Sequence, residues 1–347
     1  MNDNQKISLE RDSDGKIIAV HGPGLIDLQV NGYAGVDFNA PVEQITLDKV
    51  KSVCLKMRSR GVVGFLATII TDEAKRMLAR VSKITELCKQ DDVLNSMIIG
   101  FHIEGPFINP EDGPRGGHLR QYVITPNDAP NLLDDLQEAA EGRLRILTLA
   151  PEVPGAMELI KKASSSGVIV SLGHHAADAE TINEAVANGA KMCTHLGNAT
   201  HAMLPRLDNY VQRQLADDRL LASFIADGHH IPFPTLKNFI RAKQPTRSIL
   251  VTDCISATDM PPGQYSIGNV TVRIGDDGVS RLEGTPFFAG STLTMDRAVL
   301  NVTQHCDIDF ETAWKMASTK PAELIGLDEL KHVHVSISAD ENAFQVA

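Results

Sequence analysis

The sequence predicts an α/β fold, a (β/α)8 TIM-like barrel with a small, reduced accessory β-sandwich or β-layer, on three observations. Eight short apolar runs alternate with amphipathic helical stretches. Most of those runs are apolar on both faces, as parallel strands covered by helices should be. After the eighth run the pattern changes to two-residue alternation around glycine-containing turns. A doubly wound open sheet also alternates strands with helices, but no G-x-G-x-x-G follows the first strand here.

The eight runs are residues 24–30, 62–70, 97–103, 144–150, 168–173, 190–195, 220–226 and 248–252. Between them, helix 155–166 carries Met157, Leu159 and Ile160 with Lys161 and Lys162 on the other side. Helix 177–188 carries Ile182, Ala185 and Val186 and stops at Gly189. Past the eighth run, strands at 264–267, 270–274 and 280–283 flank Gly268-Asn269 and Asp276-Asp277-Gly278, which are hairpin turns. Helices resume at 293–305, 309–318 and 321–325, the last with Pro321 in its first turn. Segments 6–10, 16–20 and 332–338 read as strands lying outside the barrel. The predicted organisation is a barrel over 22–325 with a β-hairpin insertion at about 264–284, and an accessory β-layer from 1–21 plus 326–347.

Composition narrows the function. With 33 Lys and Arg against 44 Asp and Glu, the net charge of −11 argues against a general nucleic-acid partner, which needs a dominant basic surface. The longest apolar stretches are about nine residues, short of the ~20 a membrane helix needs. Residues 1–10 lack a basic start followed by an apolar run, so no signal peptide is expected. Cys54, Cys88, Cys193, Cys254 and Cys306 are odd in number and form no C-x-x-C pair, which suits a reduced, cytoplasmic chain.

In a barrel the chemistry sits at the C-terminal ends of the strands. Strand three ends in Phe101-His102-Ile103-Glu104-Gly105-Pro106, strand five in Gly173-His174-His175, and strand six in Thr194-His195-Leu196-Gly197-Asn198-Ala199. Strand seven ends in Ala226-Asp227-Gly228-His229-His230 and strand eight in Val251-Thr252-Asp253. His or acidic residues thus close five of eight strands at one end. Two histidines and a carboxylate are a common catalytic set for a divalent metal, and Glu104, His174 and His195 fit it. Asp253 is then placed to shuttle a proton, which outlines a metal-assisted hydrolase. His2Glu suits Zn²⁺ first, and Fe²⁺ or Co²⁺ also. A Schiff-base aldolase needs a lysine at a strand end, and none of the eight ends offers one.

The chain resembles the N-acetylglucosamine-6-phosphate deacetylases of the amidohydrolase superfamily. The motifs that carry the resemblance begin with Pro23-Gly24-Leu25-Ile26-Asp27-Leu28-Gln29-Val30-Asn31-Gly32, His102-Ile103-Glu104-Gly105-Pro106-Phe107 and Leu149-Ala150-Pro151-Glu152. They continue through Gly173-His174, Thr194-His195-Leu196 with Asn198-Ala199, Ala226-Asp227-Gly228-His229-His230, Thr252-Asp253 and Gly290-Ser291-Thr292-Leu293-Thr294-Met295. The resemblance implies Glu104, His174 and His195 as metal ligands and Asp253 as general base, then general acid. It implies that His230 steadies the acetyl carbonyl oxygen. His118, Asn198, Ala199 and Arg206 would hold the sugar and its phosphate, Asn198 and Ala199 through backbone N–H groups. The implied reaction is attack of metal-bound hydroxide on the amide carbonyl, giving glucosamine 6-phosphate and acetate. A small sugar phosphate is the implied partner and a homodimer the implied assembly.

Many amidohydrolases carry H-x-H on strand one, where this chain has Gln29 and Asn31. Neutral amides are weaker ligands than imidazole, so one divalent ion per chain is expected. Gln29 and Asn31 then read as a vestigial second metal site or as sugar contacts. The chain departs from the family pattern at Gly197, Thr200, His175 and the residues after His118, which leaves sugar identity open. The N-terminus is shorter than a typical member's, so a reduced accessory layer is expected. Alternative readings are deacetylation of another N-acetylhexosamine phosphate such as the galactosamine epimer, another amidohydrolase activity, and a catalytically dead sugar-phosphate sensor. Arg115, Arg120 and Arg213 are further phosphate candidates. His201 and His229 are weaker site candidates, and His21, His305, His332 and His334 read as surface.

Overall fold

The computed structural model describes residues 6–285, 287–338 and 343–346. The expectations for the first five residues, and parts of the predicted accessory layer at 339–342 and 347, lie outside the described residues. The barrel strands are Leu25–Val30, Val62–Ile70, Ile98–Glu104, Leu144–Leu149, Ile169–Leu172, Ala190–Cys193, Leu221–Ile225 and Ser248–Val251. Each pairs in parallel with the next. A parallel bridge from Val30 to Cys254 closes the ring, and the Asn31 N–H donates to the Cys254 carbonyl at 2.9 Å. Every residue of the first strand is buried, as two covered faces require.

The strand edges differ from expectation for local reasons. The third strand starts at Ile98 because Met97 ends a short helix, Asp92–Met97, whose first N–H groups are capped by the Asp91 carboxylate. The sixth stops at Cys193 because His195 turns into left-handed backbone, φ 30°. Helix Ala156–Ser165 buries Leu159, Ile160 and Ala163 and leaves Lys161 and Lys162 in solvent. Helix Ala179–Ala187 is capped by Asp178 and ends before Gly189, where φ is 114° and a Cβ would meet Ser164 Oγ at 2.3 Å. The last predicted helix begins two residues early, at Thr319–Leu324, and still holds Pro321 in its first turn, where no N–H partner is needed.

Among the described residues three antiparallel sheets accompany the barrel, the smallest a pairing of Gly32–Tyr33 with Val36–Asp37. Gly263–Ile267, Val270–Ile274 and Ser280–Leu282 form the inserted three-stranded sheet, which packs Ile267, Val272 and Ile274 against Ile70, Ile255 and Ala289. Ser8–Arg11, Ile17–Pro23, His332–Ile337 and Phe344–Val346 form a four-stranded sheet from both ends of the chain. Its last strand, three residues long, carries no alternation long enough to predict. It anchors Phe344 on Trp314, with ring centroids 5.5 Å apart. The five cysteines are all free and buried.

Candidate active site

Glu104 ends the third strand on an inward-facing position, while His174, His195 and Asp253 lie just past the fifth, sixth and eighth. The latter three sit in left-handed backbone, with φ of 54°, 30° and 51°, and Ala199 joins them at 48°. Such positions cost of the order of 1–3 kcal/mol each in residues other than glycine, and they persist only where the surroundings hold them. Here the holders are visible. Asn109 donates its backbone N–H to the His174 carbonyl at 2.9 Å and its side-chain amide to Glu152 at 2.8 Å. The His195 N–H donates to Ser223 Oγ at 2.8 Å, and the Ser291 N–H to the Asp253 carbonyl at 2.8 Å.

These turns bring four donor atoms together. Glu104 Oε1 lies 2.9 Å from His195 Nε2 and 3.0 Å from His174 Nε2. The two Nε2 atoms are 3.2 Å apart, and His118 Nε2 is 3.3 Å from that of His174. The ligand atoms of Glu104, His118 and His174 also all lie within 4.8 Å of one another. A tetrahedral ion with bonds of 2.0–2.1 Å sets its donors about 3.3–3.4 Å apart, close to the observed spacing. The tautomer fits as well. His174 Nδ1 faces the Pro114 carbonyl at 2.9 Å, so that nitrogen carries the proton. In the neutral ring Nε2 then presents a lone pair to the Glu104 carboxylate, and two acceptors at 3.0 Å call for a cation between them. A proton on either Nε2 acts in the same sense as such a cation: burial would push the Glu104 carboxyl up, but bonding of this kind to His174 and His195 outweighs it and holds the group well below its usual range.

Gln29 and Asn31 point into the same cluster as donors. The Gln29 amide nitrogen donates to Glu104 Oε1 at 3.0 Å, and that of Asn31 donates to Asp253 Oδ1 at 2.6 Å. Gln29 is buried away from the cavity, whereas Asn31 lines it with Asp253. Burial, with the nearby Glu104 charge, lifts the Asp253 carboxyl to about 7, against the pull of His195 and Asn31.

The cavity is a narrow, half-open cleft of about 60 Å³. Glu104, His118, His174, His195, Asn198, Ala199 and Asp253 line it, with Ile267, Val270 and Phe288 forming an apolar side. His230 meets it through Phe288, at 5.0 Å between ring centroids. Its Nδ1 is held by Asp227 at 2.6 Å, and its Nε2 is buried with no hydrogen-bond partner. The structure corrects one expectation here: the Asn198 N–H is turned back onto the His195 carbonyl at 2.9 Å, so it cannot also hold an anion. The strand-end turn needs that bond to close, and the exposed donor of the turn is the Asn198 side chain or the Ala199 N–H. Arg206 lies on an exposed loop and does not line the cavity. Arg115 pairs with Asp112 and Arg213 with Asp208, Arg120 is exposed, and no lysine or arginine is among the described residues lining the cleft.

Sequence reasoning missed the polar layer beneath the cluster. His102 lies two residues before Glu104 on the same inward face. It reaches Thr148 Oγ1 at 2.7 Å, which in turn contacts Thr194 Oγ1 at 2.6 Å. Burial pushes the His102 ring down to about 4. Asp27, two residues before Gln29, accepts hydrogen bonds from the Thr252 hydroxyl at 2.5 Å and the Thr252 N–H at 3.2 Å. The signal available was an ionisable residue inside an otherwise apolar strand.

A closed eight-stranded parallel barrel with a His/carboxylate cluster at its C-terminal mouth defines a class, the metal-dependent hydrolase barrels. Residues 22–344 match the family model described as "Amidohydrolase family", and the chain belongs to that family. Among curated relatives, an N-acetylglucosamine-6-phosphate deacetylase of Vibrio furnissii is 32% identical over 94% of this chain and 78% of its own. The Homo sapiens protein of the same name is 35% identical over 92% of this chain and 77% of its own. A solved structure of a variant Mycobacterium smegmatis N-acetyl-D-glucosamine-6-phosphate deacetylase, in complex with N-acetyl-D-glucosamine-6-phosphate, aligns with a TM-score of 0.85. It is 26% identical and covers 99% of this chain and 94% of that one.

Proposed function

We propose that this chain hydrolyses the N-acetyl group of N-acetyl-D-glucosamine 6-phosphate to glucosamine 6-phosphate and acetate. The observation that carries the reading is the convergence of Glu104, His174 and His195 with Asp253 on one cleft. The names of the curated relatives support it.

Glu104, His174 and His195 would hold one divalent ion, Zn²⁺ before Fe²⁺ or Co²⁺. Such an ion supplies Lewis-acid polarisation of the acetyl carbonyl and lowers the pKa of a water bound to it. Gln29 and Asn31 support a count of one, because neutral amides are weaker ligands than the imidazoles they replace; their NH2 groups donate to Glu104 and Asp253. Asp253 takes the proton from the attacking water and passes it to the leaving nitrogen, which would otherwise depart as an unstable anion. His230, its ring oriented by Asp227 at Nδ1, presents Nε2 to the developing oxyanion. His118, beside the ligand nitrogens, touches the reacting end of the substrate. Asn198 through its side chain and Ala199 through its N–H hold the sugar, and Arg206 meets the phosphate outside the cleft, from its exposed loop. Arginine suits the phosphate because its planar fork donates two bonds at once.

The barrel over 22–325 would carry this reaction, with the terminal segments as an accessory layer. We place it in the cytoplasm, where buried reduced cysteines are ordinary. No described helix is long and apolar enough to cross a membrane. A homodimer would cover Met203 and Leu207, which are 92% and 82% exposed on the Arg206 loop. The test is acetate release from a panel of phosphorylated and unphosphorylated N-acetylhexosamines. The 6-phosphate of N-acetylglucosamine should give the highest kcat/KM. A higher value for the galactosamine epimer would move the assignment to that sugar, and no release from any member would overturn it.

A further inference from the structure

A second group of histidines stands at the other end of the molecule. The strand Ile17–Pro23 runs into the N-terminal end of the first barrel strand, so the four-stranded sheet sits away from the catalytic mouth. His334 lies directly across from His21 in the register of that sheet. His332, two residues earlier on the same strand, shares their exposed face, since side chains two apart in a strand point the same way. The His21 ring centroid is 5.5 Å from that of His332 and 6.2 Å from that of His334. Glu10, on the far side of the His21 strand, brings Oε1 to 3.6 Å from His334 Nε2.

We propose that His21, His332 and His334, with Glu10, form a second metal site that takes a borderline transition ion such as Zn²⁺. A tetrahedral ion with bonds of 2.0–2.1 Å sets two imidazole centroids about 5 Å apart. The catalytic pair His174 and His195 shows 4.9 Å. The outer rings therefore need to close by about an ångström, a change that exposed side chains reach by rotation about χ1 and χ2. Lys331 and Arg58 border the same groove as His332 and His334. Their charge disfavours hard cations held by attraction alone, such as Mg²⁺ or Ca²⁺, and leaves ions that bond strongly to imidazole. Occupancy joins residues 10 and 21 to 332 and 334, so it ties the two ends of the chain together and should raise the melting temperature.

The test uses protein loaded with Zn²⁺ and then washed with imidazole, which competes for exposed sites and leaves the buried one filled. Calorimetric titration with Zn²⁺ at pH 7.5 should show one further equivalent per chain and an upward shift in Tm. Both should disappear at pH 5, because the ligands must be neutral imidazoles. Both should also disappear in the double variant His21→Ala, His334→Ala, while its circular dichroism and catalytic rate match the parent. Absence of a further equivalent in the parent would overturn the proposal, and so would an equivalent and Tm shift that survive in the double variant.

Discussion

Asp253 is the residue on which the proposed chemistry turns, and its surroundings describe its task. It is buried at the mouth of the barrel, held in left-handed backbone, and grasped at Oδ1 by Asn31. General acid–base help of this kind is typically worth ~10²–10⁴-fold. Asp253→Asn keeps the size and the contact to Asn31 but cannot accept the proton. Its kcat should fall by ~10²–10⁴-fold with metal content unchanged, as read by steady-state kinetics and elemental analysis on one sample. A variant with parental kcat would remove Asp253 from the mechanism. Glu104, His174, His195 and Asp253 were legible in the sequence because each stands at a strand end, where barrel geometry gathers side chains. Gln29 and Asn31 were legible as substitutions for imidazole but not as donors, since only the fold reveals which carboxylate each one meets. Arg206 was legible by resemblance alone, and its side chain stands outside the cleft.

The first and eighth strands meet at the seam that closes the barrel, and Asp27 fastens it. Its carboxylate accepts from the Gln29 and Thr252 N–H groups and from the Thr252 hydroxyl, linking positions 225 residues apart. Burial lifts this carboxyl from 3.8 to about 7, partly offset by its bonds to Thr252 and Gln29. The folded state then holds the proton more tightly than the unfolded chain. The contribution of Asp27 to stability is fully present below about pH 4 and is lost as pH rises toward 7. Asp27→Asn removes that titration and keeps a carbonyl oxygen for the two N–H donors. In urea unfolding at pH 5 and pH 8, the variant should lose less stability between the two than the parent does. An equal or greater loss in the variant would contradict the assignment. Periodicity revealed the strands and helices but not their last residues. Those were decided by the Asp91 cap, by the left-handed turn at His195 and by the shortness of the final strand, features that an apolar pattern does not record.

Over the whole molecule, the series of apolar runs was enough to anticipate a barrel, because eight strands covered by helices have few other ways to bury both faces. The closing contact, Val30 to Cys254, joins the ends of that series and could not be read from either end alone. The net charge of −11 is a poor guide to the ligand, since the proposed substrate is itself an anion and the described cleft lining contains no lysine or arginine. Recognition of that anion would depend on the ion, on donors of the strand-end turns and on the exposed loop that carries Arg206. In the proposed mechanism, one ion at Glu104, His174 and His195 makes the site competent. Chelator-stripped protein, given Zn²⁺ in fractional equivalents and assayed on N-acetyl-D-glucosamine 6-phosphate, tests it directly. The rate should rise in proportion to added ion and level off at one equivalent per chain; a plateau reached only at two equivalents, or full activity without ion, would contradict it.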